Sequence, residues 1–501
     1  MSLPYKVYTM GKLEAEISNT LEERNSKGSL QRKLQSRHLT MMAIGGAIGT
    51  GLFVSSGSTI RTAGPGGALA AYILVGIMVY FVMNSLGELS AFLPVPGAFD
   101  IYASKYIDPA LGFALGWNYW YTTAITVPAD LVASTLIMKY WFPDSPSILW
   151  SALFLGLLLI LNVLSVKAYG ESEYWFAGIK VISIIVFLVI GVAMIFGIMG
   201  GHTVGFSNFT QGDAPFHGGL VSIFSVVLIA GFAFQGTEVI ATAAGETENP
   251  SKNVPKAIRS IFWRILIFYV LTIFVIGLII PYTDSNLLKS GVQNVSISPF
   301  TLVLQRAGLA FAASVMNAVL LTSVLSAANS AMYASSRMLW ALAKEGKAPR
   351  IFARLNRKGI PMWALCTTAF IGLASFLASL FGNGSVFIWL VNASALTGFI
   401  KWFGIAVSHY RFRKAYVAQG RDLNELPFKA KWYPLGPVIT LLFFVVFIFG
   451  QTLFYGDQIS WAEIIATYIG LPIFLLLWLG YKIIKKTKIV PLMECDFERK
   501  E

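Results

Sequence analysis

Two glycine runs carry the most legible chemistry in this sequence: GGAIGTG at residues 45–51 and GFAFQGTE at 231–238. Each interrupts an apolar stretch. A helix broken in apolar surroundings frees N–H and C=O groups with no water to bond, each costing several kcal/mol if unsatisfied. Such breaks persist where they line a binding cavity. At the first run, the N–H groups of Gly49, Thr50 and Gly51 face the start of a half-helix, an electropositive end suited to a carboxylate. Thr50 adds a hydroxyl. At the second, the carbonyls near Ala230, Gly231 and Phe232 end a half-helix and suit an ammonium. Close helix packing of the GxxxG kind is the other reading of either run alone. Two runs at corresponding positions favour the site.

Ionisable side chains come next. In the middle of a membrane span each costs roughly 2.5–3.5 kcal/mol on insertion scales, which makes it a functional candidate by default. Lys180, Glu238, Asp130 and Glu88 stand out, and Lys401 is a fifth without an evident role. Lys401 is expected to face outward or snorkel, because a cation in a permeation path repels cationic ligands. Thr322, Ser323, Ser326, Asn329 and Ser330 recur at helical spacing, a polar stripe that either lines a site or packs helices. Glu238 reads as a coupling group, a partner for a cationic ligand or a brace. Glu246 reads as part of an inner gate or as a solvated group; Asp130 and Glu88 read as structural or gating.

These residues need positioning elements. Hydrophobic residues make up 56% of the 501-residue chain and charged ones 13%, too few charges for a soluble protein. About twenty apolar residues cross a bilayer. By that measure there are about twelve spans, near 38–62, 68–93, 109–138, 147–168, 173–198, 219–246, 260–281, 308–342, 362–382, 385–410, 435–455 and 461–484. They are called spans 1 to 12 below. Lys and Arg cluster after even-numbered spans, as in Lys252, Lys256 and Arg259, Lys344 to Lys358, and Arg411 to Lys431. The positive-inside rule then puts both termini in the cytoplasm. The net charge of +13 is thus an orientation signal, not the mark of a nucleic-acid partner. No secretory leader is visible. Cys366 reads as core and Cys495 lies in the tail, with no disulfide framework or metal spacing.

The glycine runs open two sets of five spans. An odd number per set inverts the second relative to the first. The expected architecture is an all-α membrane protein: a cytoplasmic tail (1–37), a first five-helix repeat (38–198), an inverted second repeat (219–410), two peripheral helices (435–484) and a cytoplasmic tail (485–501). Broken helices at matching positions of two halves point to a secondary transporter.

The stretches LQRKLQSRHLTMMAIGGAIGTGLFVSSG, AGPGGALAAYILVG, SLGELSAFLPVPGAF, GFALGWNYWY, GFAFQGTEVIATAAGETENPSKNVPKAIR and SHYRFR resemble the amino-acid permeases of the amino acid–polyamine–organocation superfamily. Within it the chain is most similar to the bacterial lysine-specific permeases, over residues 30–485. The resemblance implies an inverted five-plus-five fold and proton-coupled uptake of a cationic amino acid, lysine first, with histidine and arginine as alternatives. It implies a gate at Phe232 beside Phe234. It also implies a lysine on span 5, here Lys180, standing where sodium-driven members hold an ion between spans 1, 5 and 8. Removal from water disfavours the charged form of any lysine, so Lys180 reads as a proton-coupling group. A permanent structural bond to carbonyls of span 1 is the alternative. Spans 3, 8 and 10 then line the substrate side chain, with Tyr119 and Thr123 on one face and Asn392 and Ser394 as additions; span 8 faces Lys180 with its polar stripe, of which Ser326 joins the substrate site. Trp117 is as readily an interfacial anchor.

The resulting expectation is an importer in the bacterial plasma (inner) membrane whose partners are lysine, a proton and the lipid bilayer. No cofactor, metal site, catalytic triad or GxxxxGK[ST] loop is seen, so neither an enzyme nor an ATP-driven pump is expected. An exchanger, a channel and a non-transporting receptor are the rival readings.

Overall fold

The computed structural model describes residues 34–45, 48–95, 97–164, 166–201, 203–289, 298–454 and 468–498. The expected N-terminal tail up to residue 33, Gly46 and Ala47 of the first glycine run, and the start of span 12 lie outside the described residues. Among the described residues the regular elements are helices, joined by one parallel bridge between Leu34 and Thr247. Nine described helices are long and apolar enough to cross a membrane, and they correspond to spans 2 to 10. The described part of span 1 is broken, and Leu435–Phe454 and Gly470–Lys485 supply spans 11 and 12. Large apolar side chains stand exposed on spans 4 and 5, among them Ile160, Ile182 and Val189. That is the surface a bilayer covers and water does not.

Span 1 runs as Ser36–Gly45, breaks, and resumes at Thr50–Phe53. Its remainder and span 2 form one helix, Ser56–Phe92, kinked at Gly64 and Pro65. Gly64 has φ +74°, and a Cβ there would stand 2.6 Å from the Pro215 carbonyl oxygen. Only glycine fits both demands. Span 6 runs as Gly219–Phe234, turns at Gly236 with φ +90°, and resumes as Val239–Ala244. The first half of span 6 therefore ends later than expected: Ala230 and Gly231 are inside the helix, and the break covers residues 235–238. The apolar run GFAF keeps making helical bonds, and the chain departs only where Gln235, Gly236 and Thr237 offer polar or permissive alternatives.

Several boundaries moved for one reason. Charged helix ends extend past the hydrocarbon core, so an apolar-run criterion trims them. Span 7 starts with Pro250–Arg264 and continues through a π-helical stretch, Ile265–Leu271, into Thr272–Ile279. Lys252, Lys256 and Arg259 thus sit on its first turns, not in a loop. Span 10, Asn383–Ala418, likewise carries Arg411, Arg413 and Lys414. Span 5, Val166–Ile195, puts Lys180 near its middle. Short helices Phe99–Tyr106 and Pro299–Arg306 lie between spans.

Span 3, Pro109–Met138, is the hub and packs most extensively against span 8, Ala310–Lys344, and span 10. Asp108 caps its start by accepting from the Ala110 amide at 2.9 Å. The first half of span 1 packs on spans 5 and 7, and span 12 packs on span 3. Cys366, expected in the core, is exposed on span 9 along with Trp363 and Phe370. Those three positions share one helix face, which turns away from the bundle. Cys495 is buried, because residues 486–498 fold back on the bundle: the Val490 amide donates to the Ile107 carbonyl at 2.8 Å, and Phe497 enters a cluster with Tyr106, Phe412 and Tyr416.

Candidate functional site

The two breaks face each other across a cavity. Gly49, Thr50 and Gly51 line it from span 1, and Phe232, Gln235, Gly236, Glu238 and Val239 from span 6. Span 3 contributes Thr122, Thr123, Thr126 and Asp130; span 8 contributes Ala327, Ser330 and Ala331; span 10 contributes Lys401. Helical starts and ends leave backbone N–H and C=O groups without intrahelical partners, and the sequence has placed them against a polar chamber.

The glycines act in two ways. A Cβ on Gly49 would stand 2.8 Å from the Ala327 Cβ, and a Cβ on Gly51 would overlap the Ala233 backbone. Close packing of span 1 on spans 6 and 8 is therefore real, and it coexists with the cavity at the same residues. Gly231 does not line the cavity; it makes room for the Phe399 ring. Phe232 does line it, at 6% exposure.

On the span 3 side, the Thr50 hydroxyl donates to Asp130 Oδ1 at 2.6 Å, and Asp130 Oδ2 is buried with no hydrogen-bond partner. Thr123 reaches the cavity but donates its hydroxyl to the Tyr119 carbonyl at 2.8 Å. Tyr119 is fully buried beside Lys401, whose ammonium lies 5.2 Å from its ring centroid. Trp117 lies nearer the end of the bundle that carries the basic loops, donating to the Lys347 carbonyl at 3.1 Å. Ser394 Oγ hydrogen-bonds Gln235 Oε1 at 3.3 Å, and Gln235 Nε2 donates to the Ala395 carbonyl at 3.1 Å, which braces the break against span 10. The side chain of Asn392 is outside the described residues.

Lys401 corrects an expectation. It faces inward, 2% exposed, and pairs with Glu238. Glu238 compensates its charge, so the repulsion argument that sent Lys401 outward does not apply. Glu238 also accepts from the Gly236 amide at 3.2 Å and the Trp402 indole at 3.4 Å.

Lys180 is fully buried and donates to the Gly45 carbonyl at 3.2 Å, the last residue before the break. The charges that act on it are Glu173 and Asp130. Ser326 does not reach the cavity; its hydroxyl donates to Glu173 Oε1 at 2.7 Å, and Glu173 Oε2 is buried without a hydrogen-bond partner. Sequence reasoning missed Glu173 because it stood at an expected helix boundary. Its signal was the seven-residue spacing to Lys180, which puts both on one helix face.

Two buried arginines were missed as well. Arg264, within IFWRILIF of span 7, donates to the Ala43 carbonyl at 2.6 Å and to Thr237. Arg337 of span 8 pairs with Glu246 at 3.1 Å. Glu246 is not solvated: it is fully buried and accepts from Tyr333 at 2.8 Å, and Tyr333 stacks on Tyr169 at 4.0 Å. The rule that singled out Glu88, which also stands close to an end of its expected span, applied equally to both arginines. Glu88 is buried too, held by Arg413 and by the Ala430 amide at 2.6 Å.

The chain matches the family model described as amino acid permease over residues 38–492. It is 56% identical to the lysine-specific permease of Escherichia coli, covering 94% of this chain and 97% of that one. It is 52% identical to the lysine-specific permease of Lactococcus lactis, covering 94% and 93%, and 49% identical to the histidine permease of the same organism, covering 95% and 100%. With broken helices around a polar chamber and this match over nearly its whole length, the chain belongs to the amino acid permease family.

Proposed function

We propose that this permease imports lysine together with a proton, by alternating access, into the cytoplasm of a bacterium. The observation that carries the reading is the chamber between two broken spans, lined by residues 49–51 at the start of a half-helix and by a carboxylate, Glu238, on the opposite break. The α-carboxylate takes the amides of span 1, and the α-ammonium takes carbonyls at the end of Gly219–Phe234. Glu238 answers the charge of the side chain, and Phe232 gates the chamber. The two relatives named for lysine support the substrate. The basic loops face the cytoplasm, which sets both termini inside. Glu246 and Arg337 then close the cytoplasmic path.

Lys180 carries the coupling. Its ammonium and its neutral amine differ in their hold on Gly45 and on the two underpaired carboxylates, Glu173 and Asp130. Each protonation state therefore favours a different arrangement of span 1. The two sets, 38–198 and 219–410, are the units that move against each other.

The histidine-permease relative supplies a second substrate reading. Uptake into proteoliposomes with an acidic exterior tests both. Accumulation of labelled lysine, blocked by excess lysine and weakly by histidine or arginine, supports the lysine reading. Block by histidine equal to that by lysine transfers the assignment to a broader cationic permease. Uptake that ignores the proton gradient and needs internal substrate makes it an exchanger.

A further inference from the structure

Lys401 places an alkylammonium inside the chamber, on a side chain with the same four-methylene stem as lysine. Its Nζ pairs with Glu238 Oε1 and lies 5.2 Å from the Tyr119 ring centroid. A carboxylate beside an aromatic face is the pair of groups that recognises an alkylammonium. Glu238 itself is fixed, through the Gly236 amide at 3.2 Å and the Trp402 indole at 3.4 Å. Arg264 also acts on Glu238 electrostatically, but its hydrogen bonds go to Ala43 and Thr237. Among the described residues, the cation in direct contact with Glu238 is Lys401.

We infer that Lys401 is a tethered competitor: it occupies the ammonium subsite of Glu238 and Tyr119 when the chamber is empty and yields that subsite to a cationic substrate side chain. The inference rests on the proposed role of Glu238 toward the substrate and deepens it. A carboxylate buried without a partner is costly and binds whatever cation arrives. An empty carrier must nevertheless return through its cycle. Lys401 keeps Glu238 neutralised on that return, at the expense of affinity for the substrate. A neutral side chain gains nothing from Glu238 and leaves the Lys401 pair in place. Lys401 therefore sets both the affinity for cations and the ease of the empty return.

The test uses purified full-length protein with lysine and with norleucine, which lacks the side-chain ammonium. Lys401→Met keeps the stem and removes the charge. It should bind lysine at least about tenfold more tightly, equivalent to about 1.4 kcal/mol, with norleucine binding held within about threefold. Net uptake should fall while lysine–lysine exchange persists, because exchange never requires an empty return. Lys401→Arg keeps the charge and offers Glu238 a bidentate partner. It should weaken lysine binding and spare norleucine, and it serves where Lys401→Met fails to fold. Lysine binding that is unaltered in both variants, or that shifts in parallel with norleucine, overturns the inference. Glu238→Gln tests the reading beneath it. Loss of the preference for lysine over norleucine in Glu238→Gln supports that reading. If Lys401→Met is then silent, the tethered competitor alone is wrong. An unchanged preference in Glu238→Gln removes both.

Discussion

The Lys180 ammonium lies 3.2 Å from the carbonyl of Gly45, so the middle of span 5 is fastened to the last residue before the break in span 1. Residues 49–51, which follow the break, line the cavity. Both carboxylates that act on Lys180 have one oxygen engaged and one buried without a hydrogen-bond partner: Asp130 through Thr50, and Glu173 through Ser326. The cluster is short of donors. A proton or a modest shift of the ammonium would satisfy it, which is the property a coupling site needs.

Lys180→Met separates charge from packing. It keeps most of the stem and leaves the Gly45 carbonyl without its donor, a cost of about 1–3 kcal/mol. The expected outcome is loss of lysine accumulation driven by an acidic exterior, with lysine binding at equal pH largely retained. Proteoliposome accumulation and equilibrium binding measure the two. Accumulation with the wild-type pH dependence would make Lys180 a structural lysine and leave coupling to Glu173 or Glu238.

The glycines allow a complementary exchange. At Gly49 the obstacle to a Cβ is the Cβ of Ala327, at 2.8 Å; the next contact is Ser323 carbonyl oxygen at 3.9 Å. Gly49→Ala should therefore impair uptake, and Ala327→Gly in the same chain should restore most of it. At Gly51 the obstacle is the Ala233 backbone, which cannot be trimmed. Gly51→Ala should lower stability by about 1–3 kcal/mol, as overpacking does, and abolish uptake with no rescue from a neighbouring substitution. Failure of the double variant to recover uptake would mean that Gly49 serves the ligand and not the contact with span 8.

Much of this architecture was legible because a bilayer leaves few choices. Backbone groups must be satisfied within each span, so apolar runs separated by basic loops give the helices nearly one for one. The breaks were legible through their glycines. The exact end of the helix was not: Ala230 and Gly231 remain helical because nothing in GFAF competes with the backbone bonds, while Gln235 finds Ala395 on span 10. Partners between spans were the least legible part. Lys401 was expected outside because a cation in the path repels cationic ligands, and the partner that removes this repulsion, Glu238, is 163 residues away in sequence. Arg264 is a single charge in an apolar run, Arg337 follows two serines and Glu173 stands beside Glu171 at an expected helix boundary, and only the packing of spans 1, 6 and 8 says what each one holds. Tyr119 and Ser326 sat on the expected helices, yet Ser326 points to Glu173 and not into the chamber, and Tyr119 stands at the chamber wall behind Lys401, with that ammonium over its ring.

Asp108 offers a pH-dependent measurement outside the spans. Burial pushes its carboxyl up, but hydrogen bonds from Lys482, the Ala110 amide and Thr487 outweigh that and hold it below its ordinary value. Lys482 Nζ and Thr487 Oγ1 both lie 2.7 Å from its oxygens, so the carboxylate ties the start of span 3 to span 12 and the folded-back tail. A depressed folded value means the contribution is complete above the unfolded pKa and disappears as pH falls through the folded one. Asp108→Ala should cost about 1 kcal/mol through the lost cap alone. Its Tm deficit should stay constant from neutral pH down and shrink below about pH 4, near the unfolded carboxylate value. A deficit independent of pH across that window would assign the whole effect to packing.

The Glu246–Arg337 pair tests whether the buried layer below the chamber is a brace or a gate. Arg337 Nε lies 3.1 Å from Glu246 Oε1, and its guanidinium sits 4.0 Å over the Tyr333 ring. Both side chains are nearly or fully buried. Arg337→Leu leaves Glu246 buried without its counter-charge and should destabilise the protein by about 3–5 kcal/mol, the usual result of breaking a buried pair from one side. Glu246→Leu combined with Arg337→Leu removes both charges, and replacing a buried pair with apolar side chains is often neutral for stability. The double variant should therefore recover much of the lost Tm. Transport should not recover with it. A gate must open as well as close, and an apolar contact cannot exchange its partners for water when the path hydrates. The expected double variant is folded, binds lysine and fails to accumulate it, as read by thermal stability, equilibrium binding and proteoliposome uptake on the same preparation. Uptake that returns together with stability would make the pair a brace, and would move the gate to the stacked Tyr169 and Tyr333 rings, 4.0 Å apart.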